Sequence, residues 1–283
     1  MTKQSTQFLA PAKLNLFLHI LGRREDGYHQ LQTLFQLLDF GDLMTFEASD
    51  DGILSLHLSF DDKLETDTPL DNNLVTSAAA LLRREAGNPL LGASISLHKR
   101  LPSGAGLGGG SSNAATALTA LNRLWGLELS TDKLCEIGVN LGADVPVFIR
   151  GKSAWAEGIG ERLSPVELGD SWYLVISPQC SVSTAEVFCH EHLTRNSQAI
   201  KMADFLAGSA RNDCESVTRK LHPEVDQAFE ILAQFADFRM TGTGSSLFAS
   251  FESEAAAKEV LNALPNNLPG FVAKGIDSLE HSL

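Results

Sequence analysis

The N-terminal part of the chain contains a run in which two sets of residues alternate with a period of two. The two sets are Ala12, Leu14, Leu16, Leu18 and Ile20, and Lys13, Asn15, Phe17 and His19. Because successive side chains of a strand point to opposite faces, this pattern predicts a strand that ends at Gly22. Lys13 and Asn15 then lie on the same face.

The next apolar stretch, Leu31 to Leu38, fits a helix or a strand by its spacing, and we favour strands. Asp39 to Asp42 is predicted to be a turn, and Met44 to Phe46 the returning strand of a hairpin. Asn73 to Arg84 carries apolar residues at helical spacing, and Gly87 stands where a C-cap would. This segment is predicted to be a helix.

A run of glycines lies between a short strand at Ile95 to Leu97 and a helix predicted over Ser112 to Trp125. Residues Pro102 to Asn113 read PSGAGLGGGSSN. The helix has an apolar stripe, begins at hydroxyl residues suited to an N-cap, and stops at Gly126. The predicted order is therefore strand, glycine loop, helix.

The second half follows a different order. It is predicted to contain a strand at Trp172 to Ser177, helices within Asp213 to Phe235, a hairpin over Phe238 to Phe251 around Gly242 to Gly244, a helix from Ser253 to Leu264, and a strand from Gly270 to Lys274. Strand, helix, strand, strand, helix, strand is the order of a ferredoxin-like unit.

The chain has 283 residues, about twice the usual domain length of ~150. We therefore expect an α+β protein of two domains, residues 1–155 and 156–283. The first is predicted to be an α/β nucleotide-binding domain and the second a ferredoxin-like domain, with the active site between them.

Composition narrows the classes of partner. An apolar share of 43% is that of a folded protein, and the net charge of −13 disfavours binding to nucleic acid or to anionic lipid. Four scattered cysteines form no disulfide framework, and no apolar stretch has the length of a membrane span. We expect a cytoplasmic protein with no obligatory protein partner. The string His190-Glu191-His192 resembles a metal motif, but i and i+2 point to different faces of a helix, and we do not assign a zinc site.

The glycine loop is the strongest chemical signal. Ordering so many glycines costs backbone entropy, and the gain is that several N–H groups can converge on an anion at a helix N-terminus. The sequence therefore predicts a phosphate-binding loop, with a flexible surface loop as the simpler alternative. Gly104, Gly106 and Gly109 also satisfy G-x-G-x-x-G, but the motif lies past residue 100 and Pro102 separates it from the strand, which disfavours a dehydrogenase. The Walker sequence is absent, and Asp39-Phe40-Gly41 lacks the other motifs of a protein kinase.

The run Leu101 to Ala115 resembles the second motif of the GHMP kinases, small-molecule kinases named for galactose, homoserine, mevalonate and phosphomevalonate. The flanking motifs are Ala10–Leu16 (APAKLNL), Asp26–His29 (DGYH), Leu141–Pro146 (LGADVP) and Thr241–Gly244 (TGTG). Together they resemble the branch of the family that acts on a cytidyl diphosphate sugar alcohol in the non-mevalonate isoprenoid route. Ser103 and Ala105 depart from the family pattern, which has a bulkier residue and another glycine there.

The resemblance implies that ATP gives its γ-phosphoryl group to the 2-hydroxyl of the sugar alcohol. Asp144 would be the base and Lys13 its partner. Tyr28 and Phe188 would stack on the cytosine, and His29 would bind its edge. Taken alone, Asp144 is equally a helix N-cap after a helix that ends at Gly142, Lys13 a solvated strand residue, and Tyr28 and His29 a surface turn.

The resemblance also supplies lists of binding residues. The ATP site would comprise Lys99, Pro102, Ser103, Gly104, Ala105, Gly106, Leu107, Gly108, Gly109, Gly110, Ser111 and Ser112. The substrate site would comprise Asn15, Tyr28, His29, Thr184, Phe188 and Gly242. Mg²⁺ is expected to bridge the phosphates, but the sequence does not identify its ligands.

Three alternatives stay open at this point. A GHMP kinase for another substrate, such as homoserine, would keep the glycine loop without needing Tyr28, His29 or Phe188. A nucleotide sensor would bind ATP without turnover, although the presence of both Lys13 and Asp144 disfavours it. A dehydrogenase would bind a nicotinamide cofactor at the glycine loop.

Overall fold

The computed structural model describes residues 7–60, 63–65 and 73–279, in which two groups of elements follow each other. The first group comprises β1 (Gln7–Arg23), β2 (His29–Ser49), β3 (Leu54–Phe60), β4 (Lys63–Glu65), α1 (Leu74–Ala86), β5 (Gly92–Lys99), α2 (Gly109–Leu124), α3 (Thr131–Gly138), α4 (Val145–Arg150), β6 (Ala154–Gly158) and β7 (Arg162–Pro165). The second comprises β8 (Trp172–Ile176), α5 (Thr184–Cys189), α6 (Met202–Leu206), α7 (Glu215–Leu221), α8 (Pro223–Leu232), β9 (Arg239–Met240), β10 (Leu247–Phe251), α9 (Glu254–Ala263) and β11 (Gly270–Ile276).

The first group is a mixed sheet whose core is covered by α1, α2 and α4. The path β4-β3-β5-β2 forms one side of the sheet, β1 and β6 also pair with β2, and only the β3–β5 pair is parallel within the described residues. The helix predicted from Asn73 is confirmed. The Asn73 side chain accepts a hydrogen bond from Val75 N, and Gly87 closes the helix with a φ of 64°.

The turn predicted at Asp39 to Asp42 is wrong. β2 runs through these residues as one long strand, which pairs with β6 before them and with β5 after them. The pairing of β1 with β2 is irregular here, since Pro11 lies opposite Gly41 while Lys13 lies opposite Leu37. A Cβ at Gly41 would stand only 2.0 Å from Ala10 O. Glycine is therefore needed for a close backbone approach rather than for a turn.

The second group confirms the predicted ferredoxin-like unit. Its strands lie in the order β11-β8-β10-β9, and every neighbouring pair is antiparallel. The hairpin of β9 and β10 forms around the predicted glycines, and Ser253 caps α9 by accepting a hydrogen bond from Ala256 N.

The last strand joins the two groups. Gly270 to Lys274 pairs with β8, and the next residues, Gly275 and Ile276, pair with Leu38 and Leu37 of β2. A hydrophobic cluster that includes Leu14, Leu38, Val175 and Phe248 fills the space between the groups. The predicted two-domain α+β fold is confirmed, and the boundary at residue 155 stays a prediction. In the described part of the chain, no helix combines the length and the apolar character needed to cross a membrane.

Candidate active site

A cavity of about 720 Å³ lies between the two groups and collects residues from widely separated segments. The predicted site residues that line it are Lys13, Asn15, Lys99, Pro102, Ser103, Gly104, Ala105, Gly106, Leu107, Gly108, Gly109, Gly110, Ser111, Asp144, Thr184, Phe188 and Gly242. Tyr28, His29 and Ser112 are not among the lining residues. The first group supplies the glycine loop and the second supplies Phe188, which was the predicted arrangement.

Lys13 and Asp144 meet at one wall of the cavity. Lys13 Nζ lies 3.3 Å from Asp144 Oδ2, and the lysine side chain is almost fully buried while the aspartate is partly exposed. Asp144 stands at the N-cap position of α4, but its side chain makes no capping hydrogen bond. The preceding helix, α3, ends at Gly138 rather than at Gly142 as predicted. The carboxylate is therefore held by the lysine and open to the cavity.

A buried series of hydrogen bonds fixes the position of the Lys13 side chain. Lys13 Nζ donates to Asn15 Oδ1 at 2.5 Å, and Asn15 Nδ2 donates to Thr33 Oγ1 at 2.9 Å. Thr33 Oγ1 in turn donates to the carbonyl of Phe17. The predicted common face of Lys13 and Asn15 is confirmed, and each donor in this buried chain has an acceptor, which leaves the ammonium group one defined position.

The glycine loop needs glycine at three alternate positions. Gly104, Gly106 and Gly108 have φ values of 65°, 76° and 72°, in the left-handed region that other residues rarely adopt. Ala105, by contrast, is buried in the core between the groups, so the departure from the family pattern leaves the loop intact. The loop rests on the second group: Ser246 N donates to Ala105 O at 3.1 Å.

The helix after the loop begins three residues earlier than predicted. α2 starts at Gly109, and its N-cap is Gly108, which has no side chain to bind the first N–H groups of the helix. Ser112 is not the cap: it is buried, and its Oγ has no hydrogen-bond partner among the residues that the structure describes. The first turn contains no acidic residue. The uncapped N–H groups and the positive end of the helix lie at the cavity, and such an arrangement can hold an anion.

Asp42 does not line the cavity but supports residues that do, and the sequence patterns did not reveal it. Its carboxylate is fully buried, accepts hydrogen bonds from Arg100 N at 2.7 Å and Leu101 N at 2.8 Å, and pairs with Lys99 Nζ. Asn113 Nδ2 donates to the same carboxylate at 2.9 Å. Asp42 thus fixes the chain just before the glycine loop, together with the lysine beside it. No local signal marks the residue, since its partners lie 57 to 71 positions away.

Of the predicted base-binding residues, Phe188 lines the cavity and His29 lies against it. The His29 ring stacks on Phe188 with centroids 5.1 Å apart, while Tyr28 is 60% exposed. Arg195 Nε donates to His29 Nε2 at 3.1 Å, and its other nitrogens donate to the carbonyls of Phe188, His190 and Leu193. Burial, and then the charges of Arg195 and Arg23, lower the pKa of His29, which favours a neutral ring.

An apolar pocket that sequence reasoning did not assign forms one end of the cavity near Lys99. Its side chains are Leu58, Phe60, Leu74 and Leu97. They come from β3, α1 and β5, and only the tertiary fold brings them together. A flat apolar ring fits such a lining.

Two family models match the chain. The model of the GHMP kinases N terminal domain matches residues 73–152, and the model of the GHMP kinases C terminal matches residues 192–270.

Curated relatives match nearly the whole length. A 4-diphosphocytidyl-2-C-methyl-D-erythritol kinase of Pseudomonas aeruginosa is 53% identical over 94% of this chain and 92% of its own. The enzyme of the same name from Alkalilimnicola ehrlichii is 54% identical over 96% of this chain and 91% of its own.

Solved structures also resemble this chain. A crystal structure of 4-(cytidine 5'-diphospho)-2C-methyl-D-erythritol kinase has a TM-score of 0.79 at 33% identity, covering 95% of this chain and 99% of that one. A homoserine kinase from Cytophaga hutchinsonii has a TM-score of 0.64 at 18% identity, with coverage of 98% and 96%, and shares the fold.

Proposed function

This chain belongs to the GHMP kinases and, within them, to the family of the 4-diphosphocytidyl-2-C-methyl-D-erythritol kinases, and on that premise we propose that it phosphorylates the 2-hydroxyl of 4-diphosphocytidyl-2-C-methyl-D-erythritol. ATP is the donor, and the step belongs to the non-mevalonate route to isoprenoid precursors. The hydroxyl oxygen forms a bond to the γ-phosphorus, the bond to the bridging oxygen of ADP breaks, and the hydroxyl proton leaves. The observation that carries the proposal is the Lys13–Asp144 pair in the same cavity as the uncapped N-terminus of α2.

Asp144 takes the hydroxyl proton in this proposal, and Lys13 positions it. Phosphoryl transfer has a loose transition state, so the protein mainly has to place the reacting groups and stabilise charge. The ammonium group of Lys13 holds the carboxylate in one place and adds positive charge near the transferring group. Asn15 and Thr33 support this arrangement because they fix the lysine.

The glycine loop and α2 bind the phosphates. The N–H groups at the start of α2 point at the anion, Lys99 supplies a positive charge beside them, and the adenine ring occupies the apolar pocket of Leu58, Phe60, Leu74 and Leu97. Mg²⁺ binds few protein groups when it accompanies ATP, typically one or two oxygen ligands besides the phosphates. Among the described cavity-lining residues, Ser111 in the first turn of α2 offers a hydroxyl oxygen beside the proposed phosphate site and would hold the ion. The ion would neutralise charge on the phosphates.

The cytidine end of the substrate binds at Tyr28, His29 and Phe188. The stacked pair of Phe188 and His29, whose neutral imidazole is held by Arg195, supports this assignment. Thr184 and Gly242 line the path between this end and Lys13. We also place the enzyme in the cytoplasm, where ATP is supplied, acting on a small molecule without a protein, nucleic-acid or membrane partner.

A coupled ADP-release assay with MgATP tests the proposal. The cytidyl diphosphate substrate, homoserine and mevalonate are compared at equal concentration. We expect kcat/KM for the cytidyl substrate to exceed the other two by at least a hundredfold. Comparable turnover of homoserine would place the enzyme elsewhere in the family, and turnover with none of the three would contradict a kinase of this group.

A further inference from the structure

A second group of reactive side chains lies outside the cavity, where the segment after β8 meets the junction of α7 and α8. Cys180 follows β8, His222 stands between α7 and α8, and Glu224 lies in the first turn of α8. The thiol sulfur, an imidazole nitrogen and a carboxylate oxygen all lie within 4.8 Å of one another. None of the three residues takes part in the proposed reaction.

The histidine of this group has an unused nitrogen. His222 Nε2 is buried and has no hydrogen-bond partner in the described part of the chain. Nearly all buried polar atoms in folded proteins are bonded, so an orphan of this kind calls for an explanation. A bound cation supplies one, since the lone pair of an imidazole nitrogen is a strong metal ligand.

We propose that Cys180, His222 and Glu224 bind a divalent cation of the zinc class. A thiolate, an imidazole and a carboxylate together suit Zn²⁺ better than the harder Mg²⁺ or Ca²⁺, which prefer oxygen ligands. Tetrahedral bonds of about 2.0–2.3 Å put ligand atoms roughly 3.5 Å apart, so the present spacing of up to 4.8 Å has to contract by about 1.3 Å at most. The metal–sulfur bond replaces the S–H bond, the proton leaves to solvent, and a water takes the fourth position.

The backbone around the three ligands is already ordered. His222 N donates to Thr218 O at 2.9 Å, and His222 O accepts from Val225 N at 3.0 Å. Ser245 Oγ donates to Cys180 O at 2.9 Å. Only side-chain adjustment is then needed to close the site around a cation.

The site also lies next to the glycine loop. Two residues after Cys180, Val182 N donates to Gly104 O at 3.1 Å. A cation that ties Cys180 to α8 would therefore restrain the segment that supports Gly104. Cation binding would therefore affect the glycine loop even though the site and the loop share no residue.

Titration of the metal-free full-length protein with Co²⁺, in the absence of nucleotide, tests the site. We expect one Co²⁺ per chain, with a thiolate-to-cobalt charge-transfer band that Zn²⁺ abolishes. Cys180→Ser should remove the band. Glu224→Gln, and His222→Asn, which keeps an N-cap residue for α8, should each weaken binding about tenfold or more. Cys189→Ser removes an exposed thiol outside the group and is the matched control, with the band unchanged.

The site would be overturned by wild-type protein that shows no thiolate-to-cobalt band, and equally by a band that survives in Cys180→Ser. Kinase activity with MgATP establishes that each variant is folded, since none of the three residues lines the cavity. If His222→Asn lost activity through misfolding, Co²⁺ binding by Glu224→Gln would test the site, since Glu224 is exposed. Co²⁺ binding by Glu224→Gln as tight as that of the wild type would count against the site.

Discussion

Asp42→Asn is the substitution whose cost follows most directly from the contacts. The carboxylate serves Arg100 N and Leu101 N with one oxygen, and Lys99 and Asn113 with the other. An asparagine keeps the shape but has one acceptor, so its NH₂ group must face two donors. Either the loop N–H groups or the pair of side chains then lose their partner. All of this happens at a position with no solvent exposure.

The expected loss is about 3 kcal/mol of unfolding free energy. Breaking a buried ion pair from one side costs about 3–5 kcal/mol, and the small residual exposure of Lys99 favours the lower end. The KM for ATP should also rise about tenfold, since freeing one residue at the root of the glycine loop adds about 1.4 kcal/mol of ordering cost to binding. Lys99→Met in the same background should recover part of the stability, because it removes the unpaired charge.

Urea unfolding and ATP titrations of the kinase reaction measure the two effects. Asp39→Asn is the control: it lies in the same strand, is exposed, and retains an oxygen to accept the hydrogen bond from Lys274 N. It should change stability by less than about 0.5 kcal/mol. A loss below about 1 kcal/mol in Asp42→Asn, with an unchanged KM for ATP, would refute the role assigned to the carboxylate.

Four further predictions concern the site and the stability of the fold. Asp144→Asn should lower kcat, measured by ADP release, by a factor of about 10²–10⁴ with little change in ATP binding. The double variant with Lys13→Met should have a kcat little below that of the less active single variant. Retention of more than about a tenth of the wild-type kcat by Asp144→Asn would exclude the role of base. Tyr28→Ala should weaken binding of the cytidyl substrate by about 1–3 kcal/mol in calorimetry and leave ATP affinity unchanged, whereas an equal loss of both would show that Tyr28 does not contact the base. In urea unfolding, Gly106→Ala should lose clearly more unfolding free energy than Gly126→Ala. Both glycines have a positive φ, but of the two only a Cβ at Gly106 would meet backbone, 2.3 Å from Thr241 O. Equal losses of unfolding free energy would mean that the backbone moves away from the new Cβ without cost. Burial, partly offset by the charge of Asp213, lowers the pKa of His19, so the unfolding free energy should fall as the pH drops below the unfolded pKa of about 6.5. His19→Gln should make the unfolding free energy depend less on pH between about pH 7.5 and 5. An unchanged pH dependence in this variant would mean that other groups cause it.

Sequence reasoning succeeded where the deciding contacts are local. The alternation along β1 gave the common face of Lys13 and Asn15, because strand period depends only on adjacent residues. The caps of α1 followed from Asn73 and Gly87 for the same reason. The order of elements in the second half gave the ferredoxin-like unit without any knowledge of its contacts.

It failed where a distant segment decides the local conformation. Asp39 to Asp42 has the composition of a turn, but the close approach of Ala10 and the buried partners of Asp42 keep it in a strand. Ser112 resembles a cap, but Gly108 packs against Phe148 and Lys13 and starts the helix earlier. The site residues themselves come from at least five segments, and the resemblance to a family, rather than periodicity, brought them together.

The position of β11 has a consequence for synthesis of the chain. Among the described elements this strand is synthesised after all the others, yet its Ile276 pairs with Leu37, the residue opposite Lys13 in β1. The Ile276 carbonyl also accepts hydrogen bonds from Ser153 and Gln36. Domains generally fold as units from the N-terminus during translation, but here the first group lacks one strand neighbour of β2 until Gly275 and Ile276 have emerged. The wall of the cavity that holds Lys13 is therefore completed only after β11 has been synthesised, and a nascent chain stalled before Gly270 would carry both proposed catalytic residues, Lys13 and Asp144, without this strand beside them.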